Sequence, residues 1–575
     1  MLKLSLRSAF RLSVVSFVSV KSLSTTSTRV VWFRNFALRI HDNAALASAV
    51  LSNDADIKTR IQPISLFTFP NLRTGGTARD VFTVNALDSL NQSLSGTLKL
   101  GMIASDCPRD TAKELIHACR SLNSREIYYL KSQDYIFESE LEKILIEHGL
   151  CPKTYHGSNT LLDYSTQKIP WKDIIFNDPW RSPLIPFVEF LVEWLQKNPT
   201  TPISSPKGLE MSLNKTDIPN KLFTNPVNVM SIREMVGTSS GGTRWGDGIS
   251  KEWPASEENA LENLQHFLNA LEANQGEKKV THLASHLSPY LARGLLSPKV
   301  VYEQIQMKKN QVNVSSFLRR ICWRDYSMGV CALFPEVTKG IPIRSGYEDL
   351  ENGLQNVPTE EKARRLHAWK TGVTGFPLID AGMRQLDAEG WMPQKVRLAC
   401  ATCLVEGLGL SWRDGMQHFA DFLIDFDPAI NSNMWQNAGL VGFDPYYVGM
   451  NFKRRSYWDE DGCYIRKWVP ELQTLPDFVD VPCKTGHKSV DCLYEPWNAP
   501  ESVLLENNIY LGITYPKRIC DERKTRSLFF AAARSVRMSW PDGKIDSRKR
   551  DLVSLGKGNE HVGMFTPRAI QLPHY

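Results

Sequence analysis

From Val30 the chain alternates short apolar runs with amphipathic ones. VVWF at 30–33, PISLFTF at 63–69, LKLGMIAS at 98–105 and REIYYL at 125–130 each fit a buried strand, and RIHDNAALASAVL after the first fits a helix. Strands alternating with helices predict a doubly wound parallel sheet over residues 30–165. No Gly-rich loop follows the first strand, so an ordinary dinucleotide site is not expected there. Residues 166–245 read as a connector, densest in Pro, Ser, Thr, Asn and Lys from about 196 onward and without period. ENALENLQHFLNALE then opens a helical domain assigned to 246–500. A C-terminal extension, 501–575, carries the Arg-dotted helical run TRSLFFAAARSVRMSW and a basic end.

The most informative pattern lies between Trp391 and Leu440. Val396, Cys400, Cys403 and Leu404 recur at helical spacing and carry Arg397 among them. GLGL breaks the run, a second amphipathic helix spans Trp412 to about Ile424, and DFDPAINSNMW follows with two carboxylates in a Pro/Asn turn. A guanidinium among apolar neighbours needs a partner, because an unpaired buried charge is costly. Asp425 and Asp427 are the candidates, and a structural ion pair at a helix junction would use the same residues. Upstream, Ser285 and Ser288 stand three apart at the start of a helical segment. They suit either a phosphate at a helix N-terminus or a simple cap.

Composition narrows the picture only a little. At 575 residues with 42% apolar content, the chain has material for two or more cores, and a net charge of +6 permits nucleic-acid binding without indicating it. Fifteen tryptophans are many; packed cores use them, and so do proteins that move electrons. The 11 cysteines are scattered, and the single CxxC, Cys400–Cys403, lies in a helical run with no second pair at metal spacing. Core thiols in a reducing compartment are the expectation, with no metal site. Residues 1–29 contain Lys, Arg and Ser but no acid, which reads as an organellar transit peptide. The mitochondrion is the first expectation, the plastid the second, and the nucleus follows if the segment is not a transit peptide. No apolar stretch is long enough to insert in a membrane.

SHLSPYL at 285–291, WRDY at 323–326, TGFPLIDAGMRQL at 374–386, the 391–440 stretch and YIRKWVPEL at 464–472 together resemble the cryptochrome/photolyase family, closest to the plant-like cryptochromes of algae. The resemblance implies a photolyase-type α/β domain, a helical domain that binds FAD, and chemistry driven by blue light. It implies that Ser285, His286, Leu287 and Ser288 face the FAD diphosphate, and that Arg397, Asp425, Phe426, Asp427 and Asn431 surround the sugar and the isoalloxazine, with Asn431 beside N5. Trp435 and Trp412 match the first two members of the family's electron-transfer chain. A second antenna chromophore, pterin or deazaflavin, occurs in the family, and no residue here assigns one.

The chain also departs from the family pattern. Ala284 replaces the usual Thr, Glu272 stands near the expected Tyr, and the third tryptophan would fall near Thr359, leaving Trp369 or a tyrosine as the exit of the hole. At the face where photolyases hold DNA, Trp323 is retained, Arg320 replaces a Glu, Gln394 replaces an Asn, Asn437 replaces a second Trp, and Pro393–Gln394 stands where the other lesion class needs a His pair. Two functions follow as expectations. The first is a cryptochrome-like photoreceptor with a signalling-protein partner; the alternative is a DNA photolyase that repairs pyrimidine dimers. Arg319, Arg320, Lys453, Arg454 and Arg455 supply charge for nonspecific DNA contact under either.

Overall fold

In a computed structural model, residues 27–564 are described apart from 52–58, 69–76, 133, 157–158, 165–168, 177–181, 200, 217, 220, 238–245, 274–283, 309–314, 345, 348–349, 351–357, 445–450, 454, 456–458, 484–485, 541–543, 548–549 and 556–560. The N-terminal sheet contains β1 (Thr28–Phe33), β2 (Arg60–Thr68), β3 (Lys99–Ile103), β4 (Glu126–Leu130), β5 (Cys151–Tyr155) and β6 (Pro226–Val227), in spatial order β5-β4-β1-β2-β3-β6. All pairs are parallel except β3 with β6. Helices α1 (Ala44–Leu51), α2 (Ala78–Ser93), α3 (Pro108–Ser121) and α4 (Tyr135–Glu147) connect the strands. This is the doubly wound arrangement the alternation predicts.

Period-two patterning sends the strand side chains to two different cores. Val30 and Trp32 of β1 pack with Leu115, Ala118 and Leu141 of α3 and α4. Val31 and Phe33 instead join a cluster that continues into the helical domain through Tyr290, Ile321 and Tyr326. The sheet and the helices therefore share a core. β1 begins at Thr28, and the Arg29 guanidinium already donates to the Ala49 carbonyl at 2.9 Å. The organellar segment expected over 1–29 otherwise lies outside the described residues. Among the described residues no helix is long and apolar enough to cross a membrane.

Five helices frame the region of interest: α5 (Ser288–Arg293), α6 (Ser315–Leu333), α7 (Thr359–Thr371), α8 (Pro377–Glu389) and α9 (Gln394–Thr402). A π-helical turn, Cys403–Gly407, extends α9, and α10 (Trp412–Phe422) and α11 (Pro428–Ala438) follow. The residues assigned to a C-terminal extension are tied into this core. Leu504, Tyr515 and Phe529 belong to the same cluster as Trp412 and Trp435, and Tyr515 donates to buried Asp380 at 2.7 Å. Helix α12 (Glu522–Met538) lies against the π-turn.

Candidate functional site

Helix α9 starts after Pro393, so Gln394 stands exposed at its first turn and Arg397 comes one turn later on the inner side. The Arg397 guanidinium donates to both oxygens of Asp425, at 3.0 and 2.7 Å, and through Nε to the Met392 carbonyl at 2.9 Å. This two-pronged geometry is the strongest an Arg–carboxylate pair adopts. Asp427 does not share Arg397. Its Oδ1 caps α11 by accepting from the N–H groups of Ala429 and Ile430 at 3.0 and 3.1 Å, and its Oδ2 accepts from Arg324 at 2.8 Å. The residue pattern alone left the two aspartates equivalent, while the family resemblance implies the Arg397–Asp425 pair; the cap explains why they divide.

Arg397, Asp425, Phe426, Asp427, Asn431 and Trp435 line one open cleft, and Gln394 and Asn437 lie on its wall as well. Asn431 donates one amide hydrogen to the Met416 carbonyl at 3.0 Å. Its other amide hydrogen and its Oδ1 remain in the side-chain inventory to serve a ligand. Asn437 is spent differently: its Oδ1 accepts from the Asp444 N–H at 2.9 Å and fixes the turn after α11.

The serine turn reaches the cleft through one indole. Leu287 is the cap residue of α5 and makes no side-chain cap, while Ser285 Oγ accepts from the Leu287 N–H at 3.5 Å. Ser288 Oγ accepts from Trp391 Nε1 at 3.2 Å, and the Arg397 guanidinium lies 5.9 Å from the Trp391 ring. His286, held at φ 53°, stacks on that ring at 4.8 Å, and burial lowers the pKa of its imidazole. At the end of α5, Arg293 donates to the Phe426 carbonyl at 2.7 Å, and its Nε is buried without a partner among the described residues. Burial, reinforced by neighbouring Arg79, lowers the Arg293 pKa to about 10. The partnerless Nε of Arg293 and, at the other end of the same short helix, the hydroxyls of Ser285 and Ser288 are donors that would suit the anionic diphosphate of FAD.

The aromatic wall is set by shape. Trp435 on α11 contacts Phe419 at 5.0 Å and Trp369 at 6.1 Å. A Cβ on Gly415 of α10 would stand 2.1 Å from the Trp435 ring, and a Cβ on Gly439, just beyond α11, would stand 2.4 Å from the Trp412 ring. Each indole thus occupies the space that a glycine leaves on the partner segment. Trp412 and Trp435 are 3% and 2% exposed and make no ring contact with each other. Trp369 is fully buried, donates to the Cys400 carbonyl at 3.0 Å and touches Trp435 rather than Trp412. That position makes it a neighbour of the first tryptophan and corrects the expectation of a surface exit there.

Other expected residues lie apart from the cleft wall. On α6, Trp323 packs on Tyr326 at 5.1 Å, and Arg319 and Arg320 are exposed. Two of the cations offered for phosphate contact are committed internally. Arg455 is clasped by Asp491 at 2.9 and 3.1 Å and by Asp477 at 3.2 Å, and Lys453 pairs with buried Glu522. Arg454 lies outside the described residues. Sequence reading missed Arg324, Arg293 and Glu406. Glu406 lines the cleft from the π-turn, 2.9 Å from Arg526 of α12. WRDY carried a signal for Arg324; Glu406 gave none, because the π-turn that displaces it has no sequence signature.

Residues 317–535 match the family model for the FAD binding domain of DNA photolyase. A deoxyribodipyrimidine photo-lyase of Alkalihalophilus pseudofirmus is 35% identical over 286 residues, covering 48% of this chain and 55% of the relative. Cryptochrome-1 of Arabidopsis thaliana is 27% identical over 542 residues, 88% of this chain and 70% of the relative. The crystal structure of a class III photolyase from Agrobacterium tumefaciens superposes with a TM-score of 0.70 at 25% identity, covering 91% of this chain and 100% of that one. The chain spans only about half the length of the first of these relatives, 55%. The flavin-domain match, the photolyase and cryptochrome relatives and the shared fold together support placing the chain with the cryptochrome/photolyase family.

Proposed function

We propose that the protein is a FAD-dependent blue-light receptor of the cryptochrome type, working by electron transfer from tryptophan. The observation that carries this reading is Trp435 on the wall of the cleft, with Trp412 seated against the same helix pair. Bound FAD supplies, on absorbing blue light, an excited state that accepts an electron. Trp435 donates, Trp412 refills Trp435, and the positive charge moves away from the cleft. Ser285, Ser288 and Arg293 hold the diphosphate. The Arg397–Asp425 pair and Asp427, fixed by Arg324, surround the sugar and ring edge. Asn431, an amide carrying both donor and acceptor, would be the residue to hydrogen-bond the flavin N5 in either protonation state.

Repair is the less supported activity. The cleft wall has Asn437, occupied by its bond to the Asp444 N–H, where the family resemblance implies an aromatic ring in photolyases. Base–aromatic stacking is worth roughly 1–3 kcal/mol per base, so loss of one ring weakens a flipped-base pocket. Arg320 in place of a Glu and Gln394 in place of an Asn argue the same way. A DNA photolyase is the second reading, and the 35% identity to a bacterial photolyase over 286 residues favours it. The acid-free basic segment 1–29 supports import into an organelle, the mitochondrion first.

The deciding experiment pairs two assays on the purified protein. One follows bleaching of the oxidised flavin band under blue light with an external reductant. The other measures light-dependent repair of cyclobutane and (6-4) dimers in duplex DNA. Bleaching without repair is expected; efficient repair of either lesion makes photolyase the function.

A further inference from the structure

Trp412 has no aromatic residue at Thr359 to pass its charge to, yet Thr359 and Trp412 both line a second cavity of about 400 Å³. Tyr347 stands on the wall of that same cavity. It is 1% exposed, and its hydroxyl donates to Asp551 Oδ2 at 2.9 Å. We propose that Tyr347 is the terminal electron donor to Trp412 and that Asp551 receives its phenolic proton. The proposal rests on the Trp435–Trp412 reading above.

Burial first, and then the adjacent carboxylate, holds the Tyr347 phenol protonated far above its usual range. No resting phenolate is available, so oxidation must release a proton, and the hydrogen bond to Asp551 gives that proton a fixed destination. The step balances. One electron passes from Tyr347 to the Trp412 radical cation, and the O–H proton passes to the Asp551 carboxylate. The products are neutral Trp412, a neutral phenoxyl radical and a carboxylic acid. The ultimate oxidant is light-excited FAD.

The surroundings favour a tyrosine over another tryptophan. Arg344 donates to Asp551 Oδ2 at 2.9 Å and Arg537 donates to Oδ1 at 2.9 Å, so two guanidinium groups flank the site. A tryptophan there would hold the charge as a radical cation on its ring, whereas a tyrosine hands it on as a proton to the hydrogen-bonded Asp551 carboxylate. Trp540 touches Tyr347 at 4.9 Å, but the Lys544 ammonium lies 5.7 Å from the Trp540 ring and opposes a positive hole on that indole. The charge therefore stops at Tyr347. Asp551, Arg537 and Trp540 all come from beyond residue 500, so the C-terminal residues complete the route.

The test uses the full-length, FAD-loaded protein produced with ring-deuterated tyrosine, flashed with blue light and freeze-trapped for electron paramagnetic resonance. A tyrosyl signal that narrows on deuteration is expected, and Tyr347→Phe should abolish it while the flavin band still bleaches. The isotope measurement needs no substitution, so a folding defect in the variant does not shield the proposal. Flavin bleaching with no tyrosyl signal, or with a signal unchanged in Tyr347→Phe, overturns the role of Tyr347 and leaves the tryptophan reading standing. No light-driven bleaching at all overturns both.

Discussion

On one wall of the cleft Arg397 grips Asp425 through hydrogen bonds of 3.0 and 2.7 Å; on the other, Trp435 fits where a Gly415 Cβ would stand 2.1 Å away. The charged wall is a set of pairs, each of which fails locally when one partner is removed. The aromatic wall is a fit, which fails when anything is added. The difference predicts opposite sensitivities: deletion damages the first wall, and enlargement damages the second.

The largest effect should come from Asp425→Ala. Breaking a buried pair leaves an uncompensated charge and costs about 3–5 kcal/mol. Denaturant unfolding should show that loss, together with weaker flavin retention, and Asp425→Ala combined with Arg397→Met should recover part of it. A single variant as stable as the parent would mean that the pair is not what holds this wall.

Gly415→Ala tests the other wall with one added methyl. Overpacking of this kind costs about 1–3 kcal/mol, and the displaced Trp435 ring should slow photoreduction more than it lowers the melting temperature. Unchanged photoreduction kinetics would show that the close fit does not position the donor. A smaller change is expected at the seam between the serine turn and the cleft. Ser288→Ala removes the acceptor for Trp391 Nε1, a bond of 3.2 Å, at a cost of about 0.5–1.5 kcal/mol. The expected readout is a modest loss of FAD affinity with unaltered light chemistry.

The subtlest outcome concerns Asp325, next to the Arg324 that holds Asp427. Its Oδ1 accepts from the Leu161 and Leu162 N–H groups at 2.8 and 2.9 Å, and burial pushes its pKa up to about 7. A pKa raised in the folded state contributes stability at low pH, and that contribution is lost as pH rises through 7. Asp444, raised by burial to about 6, acts in the same direction. Asp325→Asn keeps an acceptor oxygen and should flatten the decline in melting temperature between pH 4 and about 7. An identical pH profile in the variant would remove Asp325 from this account.

The same contrast between pairs and fit marks what the sequence made legible. Strands β1 to β4 announce themselves by apolar runs, and the site residues Arg397, Asp425, Asn431, Trp412 and Trp435 stand in short-range motifs. β5, CPKTY, does not, because an edge strand with Pro and Lys carries little apolar pattern, and the two-residue β6 lies in the connector. Arg455 and Lys453 look like free surface cations until Asp491 and Glu522 arrive from distant parts of the chain. The integration of the C-terminal residues is equally hidden. Tyr515 meets Asp380 across 135 positions, and Arg344 meets Asp551 across 207. Contacts of that range leave no local period to read.

The central claim, that Trp435 is the immediate electron donor, is tested most directly by light-driven bleaching of the flavin band in Trp435→Phe, with FAD content measured in parallel. Phenylalanine keeps most of the packing and removes the readily oxidised indole. The account predicts full FAD occupancy with bleaching abolished, and bleaching slowed but present in Trp412→Phe. A Trp435→Phe protein that holds FAD and bleaches at the parent rate would contradict it.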